Sequence, residues 1–208
     1  QVIQTHMLEQ LWDIFERAFE LQKERKYKEI RAFVKKEFET RKLFPSQKDI
    51  EEFLASIPAQ RITYTSALSA VVDASIYVSK DPNISIDFTK YGFDPDTIGS
   101  KNEKHLVIKA GVLSECGTMQ TGGAILIVAR SATFIGVSMS GGRLSLVLGN
   151  ETDIHHAGTF STGGTILFTC SETIERQIRM VVNIHKANIG ATIIVNGEQI
   201  WPLGGASA

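Results

Sequence analysis

"GVSMSGGRLSLVLGN" (Gly136–Asn150) has near-copies on both sides of it: "GTMQTGG" begins at Gly117 and "GTFSTGG" at Gly158. Each copy closes on a glycine doublet and runs into alternating apolar residues, "GGAILIVA", "GGRLSLVL" and "GGTILFTC". Aligned on the doublets, Ile125, Ile127 and Ala129 match Leu144, Leu146 and Leu148, which match Ile166, Phe168 and Cys170. Alternate residues of a strand share a side, so these nine predict one inward layer three rungs deep. From 117 to 136 is 19 residues and from 136 to 158 is 22. A recurrence near 20 suits the coils of a stacked β-solenoid, each covering its neighbour's apolar face. Glycine serves where a coil turns with positive φ or where backbones crowd.

A second reading of the same letters stays open. A Gly-Gly pair between two alternating runs is also a hairpin signal. "ATFIGVSMSGGRLSLVLG", "HAGTFSTGGTILFTC" and "KANIGATIIVNGEQIW" would then be three hairpins of an antiparallel sandwich or barrel. The two readings share one expectation. Leu126, Val128, Val147 and Leu167 point outward yet are apolar, so the N-terminal segment, a second sheet or another subunit should cover them.

The rest of the chain gives an α+β organisation: helices over 1–60, an irregular connection over 61–104, and a mainly-β domain over 105–208. Residues 1–60 hold 11 acidic and 11 basic side chains, whereas 105–208 hold six of each. Leu8, Leu11, Trp12, Phe15 and Phe19 form one helical stripe; Tyr27, Ile30, Val34 and Phe38 form a second. Ser46 and Asp49 make a capping-box start to a third helix that Pro58 ends. "RITYTSALSAVVDASIYV" reads as a strand and a short helix, or as two strands, and the Pro-, Gly- and Asn-rich stretch after it reads as turns.

Gly136, Met139, Gly141, Gly142, Leu144, Leu146, Gly149 and Asn150 resemble one coil of a known glycine-rich right-handed β-helix. That repeat is found in the C-terminal domain of glutamate synthase and in one of the subunits of formylmethanofuran dehydrogenase. The resemblance covers residues 111–175. In the flanking copies Met119 stands one place early, Phe160 replaces the Met, and the closing Gly-Asn is absent. The resemblance implies a right-handed solenoid that shapes an enzyme complex without supplying reacting groups.

Candidate chemistry is sparse. Asp153, His155 and His156 sit in "NETDIHHAG", and His155, His156 and Cys116 are the candidate metal ligands. In a solenoid Cys116 and His156 are two coils apart, about 10 Å, too far to share a zinc. Cys116 with His105 or His155 as base and Glu115 to orient it would be a thiol nucleophile; as a small residue at a tight corner it reads equally as core. Cys170 reads as core. The glycine motifs lead into strands and lack Gly-Lys-Ser/Thr, unlike phosphate loops. Asp94 and Asp96 lack the oxygen spacing of a Ca²⁺ loop. Glu172, Glu175, Arg176 and Arg179 read as a surface cluster.

A net charge of −1 gives no reason to expect nucleic acid or an anionic membrane. There is no 18-residue apolar run, and two cysteines 54 positions apart suit a reducing cytoplasm. The expectation is a cytoplasmic, non-enzymatic protein without cofactor that self-assembles into a homo-oligomer or docks to other subunits. A structural subunit of a multi-subunit enzyme and a small metal- or thiol-dependent hydrolase are the alternatives.

Overall fold

The computed structural model describes residues 2–62 and 65–202. Thr63, Tyr64 and 203–208, which fall in the expected connecting region and β domain, lie outside the described residues.

Five helices come first: α1 (Val2–Lys23), α2 (Tyr27–Arg41), α3 (Gln47–Ser56), the single turn α4 (Ala59–Ile62) and α5 (Thr65–Val78). The periodic stripes of the first two are their buried faces. Leu11, Phe15 and Phe19 are buried on α1, and Ile30, Val34 and Phe38 on α2, while Tyr27, at the start of α2, is exposed. The Ser46–Asp49 capping box is present in both directions. Trp12, Phe15 and Phe53 pack edge to face at 5.7–6.0 Å, joining α1 to α3, in the geometry that ring quadrupoles favour.

Helix α5 takes most of a stretch expected to form a strand and a short helix, or two strands. Leu68, Val71, Val72, Ser75 and Ile76 are buried at steps of three, one, three and one, a helical stripe. Ala67 and Ala70 beside it are buried as well. Apolar residues on both sides of the stripe blur its period, and the β-branched valines mimic a strand.

The β domain is a parallel solenoid of about five turns. Its strands are β1 (Asn83–Asp87), β2 (Thr97–Ile98), β3 (His105–Cys116), β4 (Ala124–Ile135), β5 (Arg143–Leu148), β6 (His156–Ala157), β7 (Thr165–Thr169), β8 (Thr192–Val195) and β9 (Glu198–Trp201). One face stacks β1, β3, β4, β5, β7 and β8, all parallel. A second face stacks β2, the ends of β3 and β4, and β6. The expected register holds: Ile127 pairs with Leu146 and Leu146 with Phe168. Eight of the nine predicted layer residues are buried, and Cys170, just past the end of β7, is half-buried. The first coil, over 83–104, was hidden because its strands are short and Lys104 stands where later coils have the doublet's second glycine.

Each doublet lets one coil sit directly on the next. A Cβ on Gly142 would lie 2.3 Å from the Gly122 carbonyl oxygen, and one on Gly123 would lie 2.3 Å from that of Lys104. Those carbonyls are backbone and cannot yield. Three residues after each motif's first glycine, the side chain turns inward: Gln120, Met139 and Ser161 are all buried there. Phe160 therefore corresponds to Ser138 and Met119, exposed residues with left-handed φ near 56–60°, and it is Ser161 that stands where Met139 does.

The antiparallel reading holds in one place. Strands β8 and β9 form a hairpin about Asn196-Gly197, both at positive φ. Between β7 and β8 the chain leaves the stack to form α6 (Glu172–His185), whose Ile174, Ile178, Val181 and Val182 are buried. Among the described residues no helix is long and apolar enough to cross a membrane.

Gly142→Ala is expected to lower the unfolding free energy by at least about 3 kcal/mol, since strain and backbone overlap act together. Gly197→Ala, with positive φ but nothing within 4 Å of the added methyl, should cost about 1–2 kcal/mol. Denaturant titration of both variants checks the ordering; equal losses would contradict the crowding argument.

Candidate interaction surface

The outer side of the first face is a flat grid. Register places Val107, Leu126, Ser145, Leu167 and Ile194 in its central column. On one side lie His105, Ala124, Arg143, Thr165 and Thr192, and on the other Lys109, Val128, Val147 and Thr169. Val107, Leu126, Val128 and Val147 are 40–46% exposed. A shallow depression of about 480 Å³ runs along Val107, Leu126 and Val147, floored by Leu106, Ile125 and Leu146. The cover expected for Leu126, Val128 and Val147 is therefore not supplied by the helices. Of the helices, α3 and α5 pack against β1 and β2 at the start of the stack, and α6 packs against β6. A contiguous apolar face left open in this way is a candidate association surface.

Both ends of the stack are closed by the chain itself. At the start, Gln47 Oε1 accepts the Ser85 N–H at 2.8 Å, and Asp94 Oδ1 accepts those of Gly111 and Val112 at 3.0 and 2.9 Å. Asp96 accepts from the Ser66 hydroxyl. Both aspartates thus satisfy the chain's own donors. Lys104 Nζ donates to the carbonyls of Ile76, Tyr77 and Ser79, tying the C-terminal end of α5 to the first coil. At the far end β9 covers β8, and Arg179 of α6 pairs with both Glu175 and Glu198. Of the cluster read as surface, Glu172 and Arg176 pair with each other there, whereas Glu175 and Arg179 fasten α6 to the hairpin, which spacing on one helix could not reveal.

Arg31 and Asp73, unnoticed in the sequence, meet in the seam between helices and solenoid. The Arg31 guanidinium donates to the Thr97 hydroxyl, and Asp73 Oδ1 accepts the Ser100 N–H at 3.3 Å. Burial pushes the Asp73 carboxyl up to about 6, against the opposing pull of Arg31 and Ser100. Nothing in the local sequence marks either residue, because their meeting depends on how α2 and α5 dock.

The candidate metal and thiol residues do not converge. Cys116 is fully buried in the inward column Ile98–Cys116–Ile135–Ala157, and burial raises its thiol to about 12. His156 lies in the outward column with Glu115 and Phe134, two rungs from Glu115. His155 is exposed and bonds Asp153 at 3.2 Å. His105 stands on the first face, eleven residues back along the same strand. Neither histidine named as its base therefore reaches the thiol. His156 instead stacks on Phe134 at 5.2 Å, and its other neighbour is His185 of α6, 4.8 Å between ring centres. His185 was not singled out in the sequence, being 29 residues away. Among the described residues no three His, Cys, Asp or Glu side chains are grouped to hold a metal ion.

No family model, curated protein or solved structure matches the chain. The resemblance to the glycine-rich β-helix therefore rests on the residues of the repeat alone.

Cys116 should resist alkylation in the native protein, at a rate at least roughly a hundredfold below that of half-buried Cys170, and react on denaturation. Mass-spectrometric labelling with iodoacetamide measures this; comparable native rates would mean that the corner opens freely. Burial first, then the charges of His185 and His155, holds His156 below the ordinary histidine value. As pH falls through about 6.5 the unfolded chain takes up a proton that the folded chain resists, so stability should drop there. His156→Gln is expected to flatten that fall in melting temperature between pH 7 and 5. Asp73 has the opposite dependence, holding its proton when folded, but it is common to both proteins and cancels in the comparison.

Proposed function

We propose that this is a non-enzymatic structural protein that associates through the outer face of its parallel sheet, assembling with itself or within a larger complex. The observation that supports this most directly is the uncovered run of Val107, Leu126, Val128 and Val147 on consecutive rungs. A soluble β-sheet face without a partner carries alternating polar residues. Here the outward places of three adjacent strands are apolar at Val107, Leu126, Val128 and Val147, with charged Lys109, Arg130 and Arg143 at the margins. The helices leave this face open while closing the start of the stack.

The sequence resemblance supports the narrower reading of a shaping subunit, because in that family the glycine-rich coil is architecture. The two unpaired thiols fit a reducing compartment such as the cytoplasm. A thiol-dependent hydrolase has no support in the geometry, since its nucleophile would be a raised, fully buried thiol.

Light scattering of the purified chain at two concentrations tests the reading. A mass above the 22.9 kDa of one chain, rising with concentration, is expected. Leu126→Glu should return it to 22.9 kDa with the melting temperature changed by less than about 3 °C, since this side chain is already half in water. A single-chain mass at every concentration would count against self-association.

A further inference from the structure

The geometry points to a specific occupant for that face: the same face of a second copy, related by a two-fold axis that runs parallel to the strands and passes between β4 and β5. This rests on the reading of the outer face as an association surface and adds the partner and its orientation.

Four observations converge on it. First, the ends of the stack are occupied. Gln47 takes the Ser85 N–H at the start, and the antiparallel β9, four residues long with Pro202 behind it, blunts the finish. Continuation of the parallel ladder from copy to copy is blocked, so contact between copies falls to the sides.

Second, this axis keeps positions along each strand and reverses the order of rungs. It sets β4 over β5 and β3 over β7 of the second copy. Leu126 then lies over Ser145, Arg143 over Ala124, and Val107 over Leu167, so each large side chain meets a small or apolar one. Val128 meets Val147. The knobs and recesses of one copy match the recesses and knobs of the other, as an isologous contact requires. Sheets packed this way adopt the aligned geometry of β-sandwiches, about 10 Å apart.

Third, packing discriminates between axes. The parallel axis sets Arg143 over Ala124, His105 over Thr165 and Lys109 over Thr169, with no like-charged pair. A two-fold axis along the stack would keep each rung opposite itself and exchange the outer columns. That would set Leu126 on Leu126 and leave a gap between two Ser145 side chains. Lys109 already has its own counter-ion, Asp87 at 3.4 Å.

Fourth, the size of the face sets the strength. Six rungs spaced about 4.8 Å and five residues of about 3.3 Å span roughly 24 by 17 Å. Two copies together would bury on the order of 800–1,000 Å², below the roughly 1,200–2,000 Å² of stable interfaces. The pair is therefore a weak one whose population depends on concentration.

Cross-linking tests the orientation. Full-length copies carrying Cys170→Ser together with either Leu126→Cys or Ser145→Cys are mixed and treated with a short bis-maleimide, buried Cys116 being left in place. The 126-to-145 product between copies is expected at least fivefold above the 126-to-126 product. In parallel sedimentation, Leu126→Glu should weaken association at least tenfold, while Phe160→Ser, at an exposed corner of the solenoid, should leave it unchanged. A dominant 126-to-126 product overturns the axis, and growth into open-ended polymers overturns the closed pair. In both cases the face remains the association surface if Leu126→Glu still disperses the assembly. A single-chain mass throughout, with no cross-link of either kind, overturns the proposal and the reading beneath it.

Discussion

The close approach of one coil's corner to the next governs this molecule. Where Gly142 passes over Gly122, a carbonyl oxygen occupies the place of a side chain. The same crowding recurs one rung earlier, at Gly123 against Lys104. Because the corners touch backbone to backbone, the strands that leave them start level, and level starts fix the register. Register in turn decides which residues face inward, since a slip of one would turn Ile127, Leu146 and Phe168 out to water. The apolar interior and the exposed outer grid are thus both consequences of one steric constraint.

That constraint explains how far the letters could be read. The doublets announced both the crowding and the period, so the inward layer and its register could be predicted pair by pair. They could not exclude hairpins, because Gly-Gly before an alternating run has the same appearance whether the next strand returns beside its predecessor or climbs above it. Asn196-Gly197 shows both outcomes in one chain, since that turn does make a hairpin. The first coil escaped notice for a related reason: with Lys104 in place of the second glycine, its corner is recognisable only from the coil above. Helix α5 was legible only as a short helix beside a strand in one of two readings, because its small and β-branched residues hide a helical stripe that docking on α1 and α2 settles.

The functional surface was legible in part. The outward apolar residues could be picked out by alternation alone, but their exposure could not, because that depends on where the helices pack. The candidate histidines and cysteine were visible as residue types, yet the fold turns Cys116 inward and His156 outward and puts two rungs between them. The charged residues that join elements, Arg31 to the seam and Arg179 to the hairpin, depend on tertiary placement, and no local spacing carries that information.

The excursions of the chain have a consequence for how such a protein can change. Successive rungs of the first face begin at 105, 124, 143, 165 and 192, so the first two steps are 19 residues, the next 22 and the last 27. The extra residues enter only at bends: a wider corner between β5 and β6, and the whole of α6 between β7 and β8. Stacking fixes the height and phase of each coil but leaves its circumference unconstrained. New segments can therefore be spliced into the perimeter without disturbing the layers above or below, which makes the bends of the solenoid its natural sites of innovation.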